Sequence, residues 1–146
     1  MSVCIRPMEP RDIDAVCSLI VQLSGHPMSL EDMADRLAWA ERSPIDWLFV
    51  GEVDGCVAGL LGFRLRENLE QRSRYGEISV LVTDSAVRRQ GVGRALMDFA
   101  EQMAREQGCI GTWLVSGFKR KDEAHRFYES LGYQTTGYRF VKRFDE

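Results

Sequence analysis

Apolar residues recur along this chain at two spacings, and the segments that carry the two spacings alternate. Spacings of three and four residues, typical of one helix face, predict a helix over residues 12–23 that Asp12 caps and a second helix that Ser29 caps. The strongest such pattern covers residues 91–107 and ends at Gly108, and a last helical pattern covers 122–131. The pattern therefore predicts four helices.

Shorter apolar runs between these segments predict strands. The Asp54-Gly55 dipeptide is a strong signal for a two-residue hairpin turn between two of them. Together with the helices, the strands predict an α/β fold in which helices flank both faces of a mixed β-sheet, as a single domain over residues 1–146. The predicted strands cover residues 3–7, 47–53, 57–65, 77–82, 112–116 and 138–144.

Length and composition narrow the function classes. The chain has 146 residues, close to the usual size of one domain. It contains no apolar run of about 18 residues, which excludes a membrane-spanning segment, and its first residues lack the character of a signal or transit peptide. We therefore expect a cytoplasmic protein. The formal net charge of −3 gives no general case for nucleic-acid binding.

Charge is distributed unevenly along the chain. Residues 1–55 carry four arginines against ten acidic residues, whereas residues 56–146 carry fifteen basic residues against twelve acidic ones. An anionic ligand is therefore expected at the second part of the chain.

Cysteines and histidines show no metal-site spacing. Four cysteines lie in apolar surroundings without a Cys-x-x-Cys pair, which predicts buried, reduced thiols, and the two histidines have no Cys or His partner at zinc-site separations. We expect no metal site.

The sharpest motif is the segment Arg88-Arg89-Gln90-Gly91-Val92-Gly93-Arg94, which lies between a predicted strand and the strongest predicted helix. Its glycines let the backbone approach a ligand closely, and the first N–H groups of the helix are free to bind a pyrophosphate. A Walker loop is excluded because Gly-Lys-Ser/Thr is absent, and a dinucleotide fingerprint is excluded because Leu96 replaces the third glycine. The alternative is an ordinary glycine-bearing helix start on a basic surface.

This motif resembles the acetyl-CoA pyrophosphate loop of the GNAT superfamily of N-acetyltransferases. The strand at residues 77–82 is similar to the strand that precedes the loop in that family, and residues 124–133 resemble its penultimate helix with the closing Gly-aromatic pair. The order of elements also matches over nearly the whole chain. The resemblance implies an acetyl-CoA-dependent acyltransferase that acts on an amine.

A finer resemblance connects the chain to the bacterial aminoalkylphosphonate N-acetyltransferases. It depends on Asp14-Ala15-Val16, Gly76-Glu77-Ile78, residues 124–128 and residues 139–142. Many uncharacterised relatives share the Ala-His-x-Phe-Tyr pattern, so it does not fix the substrate.

Two residues are candidates for catalysis. Glu77 occupies the position at which matching members of the superfamily carry a catalytic Glu, and it is the candidate base that takes the amine proton, directly or through a water; a strand-end ion pair is the structural alternative. Tyr128 is the candidate acid that protonates the departing thiolate, and an apolar helix face is the alternative.

The resemblance also assigns binding roles. The backbone N–H groups of Leu81 and Val82 are expected to polarise the thioester carbonyl and to bind the pantetheine arm. The basic run Lys119-Arg120-Lys121 is either a contact to coenzyme A or substrate or a solvated loop, and Lys121 replaces an Asn that many relatives use for pantetheine. His26 lies in a segment that in the family often walls the acceptor site, and a plain loop residue is the alternative. Covalent catalysis through Cys109 is disfavoured, since no base lies nearby in the motifs.

The acceptor remains open between several classes. The acidic first part of the chain suits a cationic amine such as an aminoglycoside, a polyamine or a protein amine, whereas a phosphonate requires basic partners, for which Arg64, Arg66, Arg72 and Arg74 are candidates. A non-catalytic acetyl-CoA sensor is the alternative outside enzymes. The sequence does not decide whether the protein is a monomer or a homodimer.

Overall fold

The computed structural model describes residues 2–88, 90–117 and 121–145, and of Lys121 the backbone alone. The chain divides into two compact units, Met1–Trp113 and Leu114–Glu146, which are described in turn.

A five-stranded mixed sheet, counted over the described residues, dominates the first unit, and its last strand reaches the start of the second. The strands lie in the order β1-β2-β3-β4-β5, and β1 to β4 pair antiparallel. Two helices connect β1 to β2, and a third connects β4 to β5. The strands are β1 Cys4–Pro7, β2 Asp46–Val53, β3 Cys56–Glu67, β4 Arg74–Thr83 and β5 Gly111–Leu114; the helices are α1 Ile13–Ser24, α2 Leu30–Arg42 and α3 Val92–Glu106.

Helices cover both faces of the sheet, as the sequence predicts. On one face, α1 and α2 pack on β2, β3 and β4 through a cluster of buried side chains that includes Val16, Leu37 and Leu60. On the other face, the ring of Phe49 contacts Phe99 of α3, at 4.7 Å between centroids. The helix α3 therefore lies on the face opposite to α1 and α2.

Local signals fix several of these elements. Ser29 Oγ accepts a hydrogen bond from Asp32 N at 3.0 Å, which confirms the predicted cap of α2. Asp54 and Gly55 both have positive φ, as a two-residue turn between β2 and β3 requires, and Gly108 ends α3 in the left-handed conformation.

The predicted side-chain cap of α1 is wrong. Asp12 occupies the N-cap position but makes no capping hydrogen bond. Its carboxylate instead accepts two hydrogen bonds from the Arg6 guanidinium, at 2.7 and 2.8 Å. A charged bidentate partner is a stronger donor than a helical N–H group, so the tertiary contact prevails.

The second unit contains the helix α4, Lys121–Ser130. Gly132 adopts positive φ after it, in agreement with the predicted stop. The predicted strand at 138–144 does not form. Tyr138 and Phe140 are 90% and 93% exposed, so the alternating pattern there lacks the one-sided burial that stabilises a paired strand.

The expectation of four buried thiols is only partly correct. All four cysteines are free, and burial raises the pKa of the Cys17 thiol in the core. Cys4 and Cys56, however, are exposed, because they lie at the ends of strands, where neighbouring apolar letters in the sequence do not mean a covered side chain.

Candidate active site

Glu77 lies on β4 in a row of charged side chains that crosses three strands. Arg64 of β3 is its direct cross-strand partner, and Asp46 of β2 is the next residue in the row. Directly opposed residues of antiparallel strands share a face, and this is the face that α1 and α2 partly cover. The Glu77 side chain is 21% exposed, so it remains accessible to a ligand.

Arg66, two residues further along β3, pairs with Glu77. Its Nε atom lies 3.5 Å from Glu77 Oε1. Arg64 pairs in the opposite direction, with its Nε atom 3.4 Å from Asp46 Oδ1, while Ser43 Oγ donates a 2.7 Å hydrogen bond to Asp46 Oδ2. The face thus presents two guanidinium groups and two carboxylates in alternation.

Two tryptophans stand beside these arginines. The guanidinium carbon of Arg64 lies 5.9 Å from the ring centroid of Trp39 in α2, and that of Arg66 lies 5.7 Å from Trp113 in β5. Both distances fall within the range of cation–π attraction, which fixes long side chains that are otherwise mobile.

A β-bulge interrupts β4 directly after this row. The register moves from Gly62↔Val80 to Phe63↔Ile78, so Ser79 is an extra residue on β4. A Cβ atom at Gly62 would lie 2.5 Å from Ser79 Oγ, which shows that the bulge needs a glycine opposite it. The bulge changes the direction of β4 between Glu77 and the segment that leads to α3.

The start of α3 has the properties of an anion cradle. Gly91 is the N-cap in the left-handed conformation, with φ 85°, and since it has no side chain it makes no side-chain cap hydrogen bond to the first N–H groups. The first turn holds Arg94 and no acidic residue, whereas the first turn of α2 holds Glu31 and Asp32. A helix start that adds a cation to its own positive dipole is suited to an external anion.

The segment that leads to this cradle is tied to α1. Gln22 Oε1 accepts a 2.8 Å hydrogen bond from Ser85 N, and Asp84 caps the short 3₁₀ turn Ser85–Val87. Gly59 of β3 lets α3 approach the sheet, since a Cβ atom there would lie 2.8 Å from Leu96 Cδ1. The backbone around the loop is therefore fixed on both sides.

Leu81 and Val82 are consecutive residues of β4, opposite Leu61 and Leu60. Consecutive residues of a strand direct their N–H groups to opposite edges, so one of the two points toward β3 and the other toward the side of β5. Only one of the two predicted N–H donors is therefore directed away from β3.

Tyr128 lies on α4, in the second unit. Its ring makes edge contacts with Phe127 and Tyr133, at centroid distances of 5.1 and 6.1 Å. Burial raises the pKa of the Tyr128 phenol, so the hydroxyl keeps its proton at neutral pH. A protonated phenol is the state that an acid requires.

The other predicted site residues differ in their exposure and in their partners. Arg88 is half-buried, Gln90 is exposed, and His26 is exposed in the loop between α1 and α2. Arg74 is engaged elsewhere: it pairs with Glu67 at 2.7 Å and donates to the carbonyl of Gln107. Arg89, Lys119, Arg120 and the side chain of Lys121 lie outside the described part of the chain.

Two further observations concern the described residues. No group of three or more metal-ligating side chains occurs among them. None of their helices combines the length and the apolarity needed to span a bilayer.

Comparison with known proteins decides the family. The model of the acetyltransferase (GNAT) family matches residues 13–133. The chain belongs to the GNAT acetyltransferase family. As a GNAT protein it is an acyltransferase, and the fold and the family that the sequence predicts are confirmed.

Individual relatives agree with this assignment. The GNAT chain is 32% identical to the aminoalkylphosphonate N-acetyltransferase of Salmonella typhimurium, over 97% of this chain and 92% of the relative. Its fold is similar to a crystal structure from Bacillus halodurans described as a transcriptional regulator, with a TM-score of 0.89, 24% identity and coverage of 98% and 100% of the two chains. It is also similar to the aminoglycoside N-acetyltransferase AAC(6′)-Iy in complex with CoA, with a TM-score of 0.82, 17% identity and coverage of 97% and 94%.

Three side chains around the candidate base Glu77 were not predicted from the sequence. Trp39, Asp46 and Trp113 come from different elements, and they reach Arg64 and Arg66 only through strand register and helix packing. Asp46 could have been predicted from the sequence, because a carboxylate at the first residue of a buried strand needs a charged partner.

Proposed function

We propose that this GNAT enzyme transfers the acetyl group of acetyl-CoA to the primary amine of a small molecule, by direct attack within a ternary complex. The observation that carries the proposal is the continuity of one backbone segment. A carboxylate on β4, Glu77, is followed by a glycine loop whose N-cap residue, Gly91, makes no side-chain cap hydrogen bond and whose first helical turn holds no acidic residue. One segment thus supplies a base and an anion cradle.

The cradle fits the pyrophosphate of coenzyme A. The N–H groups from Gly91 to Arg94 are the donors of the first turn of α3, and Arg88 and Arg94 add positive charge. Arg89 and Gln90 belong to the same segment, and Lys121 is proposed as a further contact. Acetyl-CoA, when bound, supplies an activated acetyl group as a thioester. One of the N–H groups of Leu81 and Val82 polarises its carbonyl.

Glu77 and Tyr128 divide the proton transfers. Glu77 takes one proton from the ammonium group of the acceptor, directly or through a water, and the free amine then attacks the thioester carbonyl. The C–N bond forms and the C–S bond breaks. Tyr128 donates its phenolic proton to the departing sulfur, so the thiol leaves neutral. The attacking nitrogen gives up its second proton to the resulting phenolate, directly or through water, so that the amide is neutral and the phenol is restored.

The acceptor that the relatives support best is an aminoalkylphosphonate. The support is the 32% identity to an enzyme of that name over nearly the full length of both chains. An aminoglycoside, a polyamine or a protein amine is the alternative, and His26 is proposed to lie on the wall of the acceptor site.

A thiol-release assay with a panel of amines tests the proposal. The purified protein is incubated with acetyl-CoA and with 2-aminoethylphosphonate, spermidine, kanamycin or a lysine peptide, and the products are identified by mass. Acetylation of a small amine supports the proposal. Binding of acetyl-CoA without acetylation of any amine would instead support the sensor alternative.

A further inference from the structure

The charged row around Glu77 holds more positive groups than a base requires. Arg64 is the cross-strand neighbour of Glu77, and the guanidinium group of Arg66, on the diagonal, pairs with the Glu77 carboxylate. Asp46 balances the second charge from the far side of Arg64. Two positive and two negative groups in alternation are complementary to a ligand that carries one charge of each sign.

Arg64 has hydrogen-bonding capacity that the protein leaves unused. Its Nε atom is buried, and within the described residues it donates no hydrogen bond. Its 3.4 Å approach to Asp46 is an ion pair without hydrogen-bond geometry. A guanidinium group has five N–H donors, of which Nε is buried here, so it is the solvent-exposed part of the Arg64 side chain that an added acceptor can reach.

The surroundings hold Arg64 in place for such an acceptor. The Trp39 ring lies 5.9 Å from its guanidinium carbon, and Asp46 is itself oriented by Ser43. The side chain is nevertheless 34% exposed. A fixed and accessible guanidinium beside an aromatic wall is suited to bind an oxyanion.

We propose that Arg64 and Arg66 form the subsite that binds the anionic group of a zwitterionic acceptor, whose ammonium group faces Glu77. The proposal rests on the proposed function, and it adds the class of acceptor and the residues that select it. Cross-strand neighbours have Cβ atoms about 5 Å apart, so the amine and the anion of the acceptor are separated by only a few bonds. A short aminoalkylphosphonate and a short amino acid such as β-alanine share this chemistry.

The test compares acceptors that differ only in the anion. We expect kcat/KM for 2-aminoethylphosphonate and β-alanine to exceed that for propylamine in the wild type. In Arg64→Gln, kcat/KM for the anionic acceptors should fall about 10- to 100-fold, while that for propylamine stays unchanged. The matched control is Arg105→Gln, an exposed arginine near the end of α3, on the other face of the sheet, which should alter neither value.

Two results would overturn the subsite. One is a wild type that shows no preference for the anionic acceptors; the other is an Arg64→Gln variant that loses the same factor with propylamine, which would mean that Arg64 only supports the sheet. If no amine is acetylated, the proposed function fails, and calorimetry with 2-aminoethylphosphonate and CoA then decides the subsite. Binding by the wild type that Arg64→Gln abolishes supports the subsite, whereas absent or equal binding overturns it.

Discussion

Gly62 and Val80 face each other across β3 and β4 so closely that a Cβ atom at Gly62 would lie 2.6 Å from Val80 Cγ1. The contact exists because Ser79 is an extra residue on β4, and both side chains turn toward Gly62. The glycine thus permits the bulge that separates Glu77 from the part of β4 leading to α3.

Replacing Gly62 tests whether the bulge positions Glu77. We expect Gly62→Ala to lower the free energy of unfolding by about 1 to 3 kcal/mol and to lower kcat/KM more than tenfold, because β4 must shift. Gly51→Ala is the control, since its Cβ atom would lie 3.2 Å from the nearest side chain, away from Glu77. An unchanged kcat/KM in Gly62→Ala would show that the bulge has no role in positioning.

The anion cradle is tested at Gly91. Its φ of 85° is strained for any residue with a Cβ atom, so Gly91→Ala should redirect the first N–H groups of α3 and weaken acetyl-CoA binding at least about tenfold. Gly55→Ala imposes the same kind of strain, at φ 78°, in the hairpin turn. Calorimetry should show a loss of acetyl-CoA affinity in Gly91→Ala only. Equal losses in both variants would mean that the substitutions act by destabilising the fold.

The sequence predicted features that depend on near neighbours in the chain. The Ser29 cap, the Asp54-Gly55 turn and the glycine stops each follow from local backbone geometry, and each is confirmed. The strand predicted at 138–144 failed because alternation shows only that a strand could form there, and the pattern does not reveal whether a partner strand is present.

The charged row around Glu77 depends instead on register. Arg64 and Arg66 were recognised as basic residues near the site, but their order around Glu77 depends on which residues of β3 and β4 face each other. A bulge shifts the pairing of β3 and β4 by one residue, and no sequence feature around Ser79 predicts the bulge. The side chains that α2, β2 and β5 place beside this row could not be predicted either, because their contacts also depend on strand register and helix packing.

The acid role is tested by Tyr128→Phe. The ring contacts with Phe127 and Tyr133 do not need the hydroxyl, so stability should change little while turnover falls about 100-fold. Because burial raises the pKa of Tyr128, the rate of the wild type should not decline until the pH exceeds the ordinary tyrosine value of about 10. Tyr138→Phe, at an exposed position, is the control. Full turnover in Tyr128→Phe would make Tyr128 a packing residue.

The Arg6–Asp12 pair predicts a pH dependence of stability. The hydrogen bonds from Arg6 hold the pKa of Asp12 below its ordinary value, so the pair stabilises the fold above about pH 4 and the contribution is lost as the pH falls through the lowered pKa. Asp12→Asn should cost about 2 kcal/mol at neutral pH, because it removes one of the two carboxylates that pair with the half-buried Arg6 guanidinium and leaves Glu52 as the other, and it should flatten the acid limb of the stability curve.

Denaturant unfolding at several pH values measures this effect. Asp35→Asn, which removes an exposed partner of Arg36, is the control and should leave the curve unchanged. Parallel curves for the wild type and Asp12→Asn would contradict the assignment.

Glu77→Gln tests the base. An amine with a pKa near 10 is mostly protonated at neutral pH, so a group on the enzyme must take its proton before attack. We expect the variant to lose about 100-fold or more in rate at neutral pH and to lose the lower-pH limb of the kcat/KM profile. The deficit should shrink at high pH, where the amine arrives neutral.

Two further measurements separate a base from a structural residue at this position. Gln is nearly the same size as Glu, so acetyl-CoA binding should survive in Glu77→Gln, and Glu67→Gln, which removes the exposed partner of Arg74 at the end of β3, should keep the wild-type profile. A rate loss that is equal at every pH, or a loss of acetyl-CoA binding, would mean that Glu77 acts through its ion pair with Arg66. The lower-pH limb would then belong to the substrate amine.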